Sequence, residues 1–269
     1  MSTDRITLAL LGVVLTVFTV AAILPGVLAP YSPDLPDPLA TLETPSAAHL
    51  LGTDYLGRDQ LSRIVFGARE TLIGAGIAVL VGLAGGLLLG IIAALFGKRG
   101  DSAVSRLIDV LLSVPTLLIA IVIVAVLGFG TLYAGIAIGV AAVGQFAKLT
   151  RTQLLQASGQ PYVEAARIAG RSKLGATLLH ALPNAKGPII ALVPVQFGFA
   201  ILSLTALGFL GFGVQPPTAE WGSMIADGST YLMSGRWWLV VFPTLAIAAL
   251  VLSLNTLGRR LGRLQEGAL

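Results

Sequence analysis

The chain has 269 residues, of which 55% are hydrophobic and only 11% are charged, and its mean hydropathy is +0.89; ordinary soluble domains carry about 25% charged residues, so the composition excludes one and indicates an integral membrane protein. The net charge of +4 lies in short segments between apolar runs, a pattern of topology determinants rather than of a nucleic-acid surface. With no cysteine, disulfides, thiolate metal sites and cysteine nucleophiles are excluded too.

Six apolar runs are long enough to be read as membrane-spanning helices, at about 6–29, 72–96, 107–127, 132–146, 188–210 and 238–257. The first exceeds a signal-peptide core and has no small-residue cleavage site before "APYSPDLPDP", so it is expected to be retained. "YSPDLPDPLATLETPS" follows, rich in proline and acid and without apolar period, and predicts an extended, solvated connector. In "GTDYLGRDQLSRIVFGARE" the charges Asp54, Arg58, Asp59 and Arg63 are expected to form surface salt bridges. Leu56, Leu61, Ile64, Val65 and Phe66 there suit a helix lying on the membrane before the second run.

Within the spans, Gly82, Gly86 and Gly90 recur every four residues and Gly135 and Gly139 repeat that spacing, which predicts close approach of helix backbones. Pro115, Pro194 and Pro243 are expected to be tolerated by neighbouring helices. Asp109 sits beside the cytoplasmic end of the third run, where an i,i+3 ion pair with Arg106 is expected in preference to a substrate or proton site. Gln145, Gln196, Ser203 and Asn255 are read as interhelical hydrogen-bonding groups, and Trp221, Trp237 and Trp238 as interface anchors.

With the N-terminus inside, thirteen of the 17 basic residues fall on the cytoplasmic side and four, Arg58, Arg63, Arg69 and Arg236, on the other, which predicts that both termini are cytoplasmic. That topology puts "YVEAARIAGRSKLGATLLHALPN" in the cytoplasm. Pro161 suits a first helical turn, Glu164 lies near the positive helix end, Gly170 stops the helix, and a second helix begins after Ser172 with Pro183 closing the unit. Two short helices joined at a glycine are expected. Composition alone favours a loop on the headgroups, with Arg167, Arg171 and Lys173 drawn to anionic lipid, and it is a sequence pattern that tips the reading the other way.

The pattern Glu164-Ala165-Ala166, Gly170 and Leu182-Pro183 resembles the EAA loop of the permease subunits of binding-protein-dependent ABC importers. His180 stands where isoleucine is usual, and "LHALPN" is close to the form of the peptide and nickel branch. "HLLGTDYLGRDQLSRIVFGARETL" and "LGFLGFGVQPPTAEWGSMI" match the same branch in the same order, so the chain looks most like a C-type permease of dipeptide, oligopeptide or nickel importers. The basic tail "LGRRLGRLQEGAL" departs from relatives, which tend to be acidic there.

The resemblance implies an all-α integral membrane protein of six transmembrane helices with the type I ABC importer permease fold, multi-pass in a bacterial or archaeal inner membrane. Residues 1–68 would hold the first helix, connector and interfacial helix, 69–258 the transporter domain with its coupling loop at about 158–187, and 259–269 a cytoplasmic tail. It implies ATPase coupling through Glu164, Ala165, Ala166, Gly170, Leu182 and Pro183. The implied partners are a second, B-type permease, two cytoplasmic ATP-binding subunits and an external solute-binding protein, the last near "GVQPPTAEWG". No cofactor, metal or catalytic residue is implied. Its own residues agree that ATP is handled elsewhere: in "GIIAALFGKRG" six residues separate Gly90 from Gly97, and Arg99 follows Lys98 where a phosphate loop needs Ser or Thr.

Rival classes make different demands. An intramembrane hydrolase needs a nucleophile or metal set, whereas His49 and His180 fall on opposite sides. An ion-coupled secondary transporter or channel subunit would carry acids within the membrane and has no use for an EAA loop. A purely structural scaffold would show no cargo-dependent phenotype.

Overall fold

The computed structural model describes residues 3–266, and among these every regular element is helical. In chain order they are α1 (Thr3–Ile23), α2 (Pro25–Leu28), a 3-10 turn (Pro38–Ala40), α3 (Gln60–Leu95), α4 (Gly97–Ser113), α5 (Thr116–Leu127), α6 (Thr131–Ser158), α7 (Pro161–Ile168), α8 (Lys173–Ala176), a π-helical turn (Thr177–Ala181), α9 (Leu182–Phe209), α10 (Trp221–Ser229), a 3-10 turn (Leu232–Ser234) and α11 (Trp238–Glu266). Four stretches among the described residues are long and apolar enough to cross a membrane: Gln60–Leu95, Thr131–Ser158, Lys173–Phe209 and Trp238–Arg263. A fifth is a bent pair, and the apolar part of α1, Ala9–Ile23, is shorter.

That bent pair covers the apolar run expected over 107–127, which is broken at Pro115. The helices Asp101–Ser113 and Thr116–Leu127 meet at 88°. Val114 is extended (φ −93, ψ 131), as the residue before a proline is driven to be by the ring's Cδ, and Pro115 starts α5 without an N–H to continue the ladder.

Helix α3 begins where Asp59 caps it, its Oδ2 accepting from the Ser62 N–H at 2.8 Å. Its 36 residues reach ~54 Å at 1.5 Å per residue, against a hydrocarbon core of about 30 Å. The helix therefore projects from the membrane as one rod. No separate interfacial helix precedes it, and Ile64 and Val65 are buried in the main core beside Trp221 and Ala21. The connector is less free than expected. Asp37 N–H donates to Leu56 O at 3.1 Å and Leu42 N–H to Asp54 O at 3.0 Å, strapping it to the segment before α3.

The centre of the bundle is the α3–α6 pair, and its glycines are the reason the helices approach so closely. A Cβ on Gly86 would lie 2.2 Å from Phe146 Cβ, and one on Gly90 2.5 Å from Thr150 Cγ2. From the other side, a Cβ on Gly139 would meet Val81 Cβ at 2.6 Å and one on Gly135 Gly74 O at 2.8 Å. Both glycine rows thus serve the same interface, as their spacing predicts.

The end of the molecule before α3 is capped by buried polar groups, which corrects two readings. Asp54, Arg58, Asp59 and Arg63 are no more than 6% exposed, so they form an interior network and not surface salt bridges. Asp54 Oδ2 lies 2.7 Å from Arg58 Nε and 3.5 Å from Arg63 Nε, Asp59 Oδ1 is 3.0 Å from His49 Nδ1, and Arg63 Nη1 donates to Pro33 O at 2.9 Å. Trp221 and Trp238 are fully buried. Their indole N–H groups donate to Ile64 O at 2.9 Å and Thr53 O at 3.2 Å, so both are core residues, and Trp237 alone of the three is exposed.

Candidate functional site

The segment singled out by sequence folds locally for identifiable reasons. Gln160 is extended, Pro161 occupies the first turn of α7, and Glu164 lies in that turn with Arg167 in the last, matching the helix dipole. At its end the Gly170 N–H donates to Arg167 O at 3.0 Å and the Arg171 N–H to Ala166 O at 3.1 Å. This 5→2 and 6→1 pair is a Schellman stop, which needs a left-handed residue. Gly170 supplies it with φ +90. Ser172 then caps α8, its Oγ accepting from the Gly175 N–H at 3.1 Å.

The pair is seated on the ends of the long helices. Val163, Ala176, Ala181 and Ala185 share a buried cluster with Ala94 of α3 and Leu154 and Ala157 of α6, and Lys173 Nζ donates to Leu95 O. Glu164, Ala165 and Gly170 are exposed and Ala166 is half-buried. Three apolar residues that sequence reasoning passed over share the exposed side: Tyr162, Leu174 and, at the tip, Ile168, which is 83% exposed. Their signal in the sequence is a bulky apolar residue two positions before and four after the glycine stop of a charged loop.

Leu182 packs against the same buried cluster, but neither it nor Pro183 belongs to the two short helices themselves. Pro183 does not close the unit, as expected from sequence, but falls in the first turn of α9. Lys173–Phe209 runs as one 37-residue helical stretch. The wider turn at Thr177–Ala181, where the Leu182 N–H reaches back to Thr177 O, relieves the carbonyl that a proline ring would otherwise strike. The second helix of the segment is therefore the N-terminal continuation of the fifth apolar run.

Deeper in the bundle, Gln196 of α9 donates through Nε2 to Gln145 Oε1 of α6, the interhelical bond expected of these residues. A small cavity beside it is lined by Thr116, Ser203, Phe199 and Ala78 as well as the two glutamines. The expected Arg106–Asp109 pair does not form among the described residues. Asp101 takes the basic partner instead, with Arg151 Nη2 donating to its Oδ2 at 2.8 Å, which ties α4 to α6.

Comparison with known proteins follows these features. Residues 86–268 match the family model described as "Binding-protein-dependent transport system inner membrane component". The "Di/tripeptide transport system permease protein DppC" of Pseudomonas aeruginosa is 41% identical over 236 residues, 86% of this chain and 78% of that protein. The "Dipeptide transport system permease protein DppC" of Alkalihalophilus pseudofirmus is 39% identical over 93% of this chain and 83% of its own, and that of Escherichia coli K12 40% identical over 93% and 85%. Among solved structures, an inward-facing form of the MetNI methionine ABC transporter superposes with a TM-score of 0.62 at 19% identity, over 76% of this chain and 96% of the matched one, a likeness of fold. With its all-helical type I ABC importer permease fold, the chain belongs to the family of binding-protein-dependent transport system inner membrane components, and is a multi-pass inner-membrane transport subunit rather than an enzyme.

Proposed function

We propose that the chain is a C-type permease of an ATP-driven importer for di- or oligopeptides, with six membrane spans and both termini in the cytoplasm. Family membership implies a partner permease and ATPase subunits. The finer reading is a B-type permease completing the path, two cytoplasmic ATP-binding subunits on the α7–α8 segment, and an external solute-binding protein that delivers cargo. The peptide cargo is supported by the relatives named for di- and tripeptide transport. The sixth span in this reading is α1, and the bent α4–α5 pair counts as one.

The observation that carries the coupling role is the exposed face of α7 and its glycine stop. Ala165 and Gly170 are exposed, small and flanked by the protruding Ile168, a combination that suits insertion into a groove of a partner protein. Glu164, Ala165, Ala166 and Gly170 would form that contact, and Leu182 and Pro183 would carry its displacement into α9. Alternating access to a path near the membrane midplane then follows from rocking of the bundle.

Gly170→Val separates this reading from a loop on lipid. Nothing lies within 4 Å of a Cβ at this position, so valine meets no clash, but the left-handed backbone costs about 1–3 kcal/mol. The bundle should assemble normally while the stop distorts. Gly170→Val and Ala165→Trp are expected to reach the membrane at wild-type levels with the partner permease and to lose ATPase capture about tenfold or more. Undiminished capture and transport by Gly170→Val, with the harm falling instead on removal of Arg167, Arg171 and Lys173, would count against the coupling role.

Topology is tested separately. A reporter fused after Gly175 is expected to read cytoplasmic and one near Pro217 external. Both on one side would overturn the six-span arrangement.

A further inference from the structure

The end of α9 remote from the coupling segment is fastened by one carboxylate. Glu220 is 4% exposed and caps α10, its Oε1 accepting from the Gly222 N–H at 2.7 Å and its Oε2 from the Ser223 N–H at 2.9 Å. Three glycines close around it. A Cβ on Gly208 would lie 2.0 Å from Oε2, one on Gly222 3.0 Å and one on Gly213 3.5 Å. They belong to the last turn of α9, the loop that follows it and the first turn of α10, so one side chain joins three segments. The adjacent Trp221 ties that joint to α3 through its bond to Ile64 O.

A small cavity adjoins the carboxylate, lined by Glu70, Thr71, Thr131, Leu204, Gly213 and Glu220. Glu70 of α3 is half-buried and accepts from Thr131 Oγ1 of α6. Thr71, which also lines this space, is 1% exposed, and among the described residues its hydroxyl has no hydrogen-bond partner. Among the described residues no cation balances Glu220. The charged side chain acting on it is Glu70, and α6, α9 and the loop over 211–219 add no charged side chain to the cavity, contributing Thr131, Ala134, Leu204, Gly213 and Val214. Burial pushes the Glu220 carboxyl up to about 7, opposed by the two backbone N–H groups and assisted by the charge of Glu70.

We infer that Glu220 and Glu70 form a proton-binding site at this end of the bundle, in which a proton on Glu220 holds α9, the following loop and α10 together and its loss lets the joint open. The proton comes from solvent past the half-buried Glu70 and converts a buried carboxylate to a carboxylic acid. The sign follows from linkage. A group whose pKa is raised in the closed joint binds the proton more tightly there than in an opened, hydrated one, so acid stabilises the closed form. That stabilisation fades as pH rises through about 7. The site is independent of the cargo and of the coupling role proposed above.

The absence of native cysteine makes the test direct. Val214→Cys reports on the cavity wall and Met233→Cys, at a residue 98% exposed, on thiol reactivity alone. In the purified complex the ratio of their alkylation rates is expected to rise several-fold between about pH 6 and about pH 8, in a one-proton transition. An infrared band of a protonated carboxyl should titrate with the same midpoint. Glu220→Gln should remove both the band and the pH dependence, leaving the joint closed. Glu70→Gln keeps Glu220 in place and should shift the midpoint to lower pH, a readout that survives if Glu220→Gln fails to fold. The inference is overturned by a pH step unchanged in Glu220→Gln, by an unmoved midpoint in Glu70→Gln, or by sodium closing the joint at fixed pH as acid does.

Discussion

Gly86→Ala is expected to remove most of the folded permease from the membrane, although it adds a single carbon. The new Cβ would stand 2.2 Å from Phe146 Cβ and 2.8 Å from the Ala147 backbone nitrogen. Backbone cannot rotate away as a flexible side chain can, so α3 and α6 must separate along the seam that also holds Gly82, Gly90, Gly135 and Gly139. Overpacking of this kind costs about 1–3 kcal/mol and more where the neighbour is rigid. Gly76→Ala on the same helix is the control, since nothing lies within 4 Å of a Cβ there. It is expected to be neutral or to stabilise by up to about 1 kcal/mol through helix propensity. Size-exclusion profiles of the two variants at equal expression decide the matter, and equal monodisperse peaks would show that the seam is not tightly packed.

Asp54→Ala is the second large effect. Asp54 is 6% exposed and accepts from the Arg58 N–H at 3.0 Å, the Leu56 N–H at 2.9 Å and Arg58 Nε at 2.7 Å, with Arg63 Nε 3.5 Å away. Removing it leaves two buried guanidinium groups, 3% exposed each, without their shared anion. Breaking a buried pair from one side costs about 3–5 kcal/mol, whereas an exposed pair contributes about 1 kcal/mol or less. Thermal unfolding of the purified complex should show a fall in midpoint of many degrees for Asp54→Ala and a smaller one for Asp54→Asn, which keeps the acceptor for the two backbone N–H groups. A shift within error for both would return this network to the surface category.

Much of the α7–α8 segment was legible because its signals are local. A proline in a first turn, a glycine at a left-handed stop and a serine cap act within five residues, and α7, Gly170 and Ser172 appear where those signals stand. The bundle's composition and its glycine seam were readable for a similar reason, since spacing on one helix face is written in the chain. Hydropathy failed at boundaries. It stops where lipid stops, while the backbone of α6 continues past 146 to Ser158 and α3 starts at Gln60 well before 72. It also averaged over the Val114–Pro115 break, whose pre-proline residue was itself a warning. The tryptophans bond to groups far along the chain, Trp221 to Ile64 and Trp238 to Thr53, and local chemistry carries no trace of such distant partners; the charges pair close by, Asp54 with Arg58 and Arg63, and what the sequence hides there is their burial.

In the coupling reading, the unbroken helical stretch Lys173–Phe209 would act as a lever. Its contact with α6 at Gln196–Gln145, next to the place where Gly198 lies against Asn255 and Val251 of α11, divides it unequally. At 1.5 Å per residue the arm to Lys173 is ~35 Å and the arm to Phe209 ~20 Å. Rotation about that fulcrum would move the Lys173 end about 1.8 times as far as the Phe209 end, and a thrust on the long arm would arrive at the short one multiplied by the same ratio. Such a rod trades stroke for thrust, which is the gearing required to prise apart a packed joint with a broad, gentle movement at the opposite face.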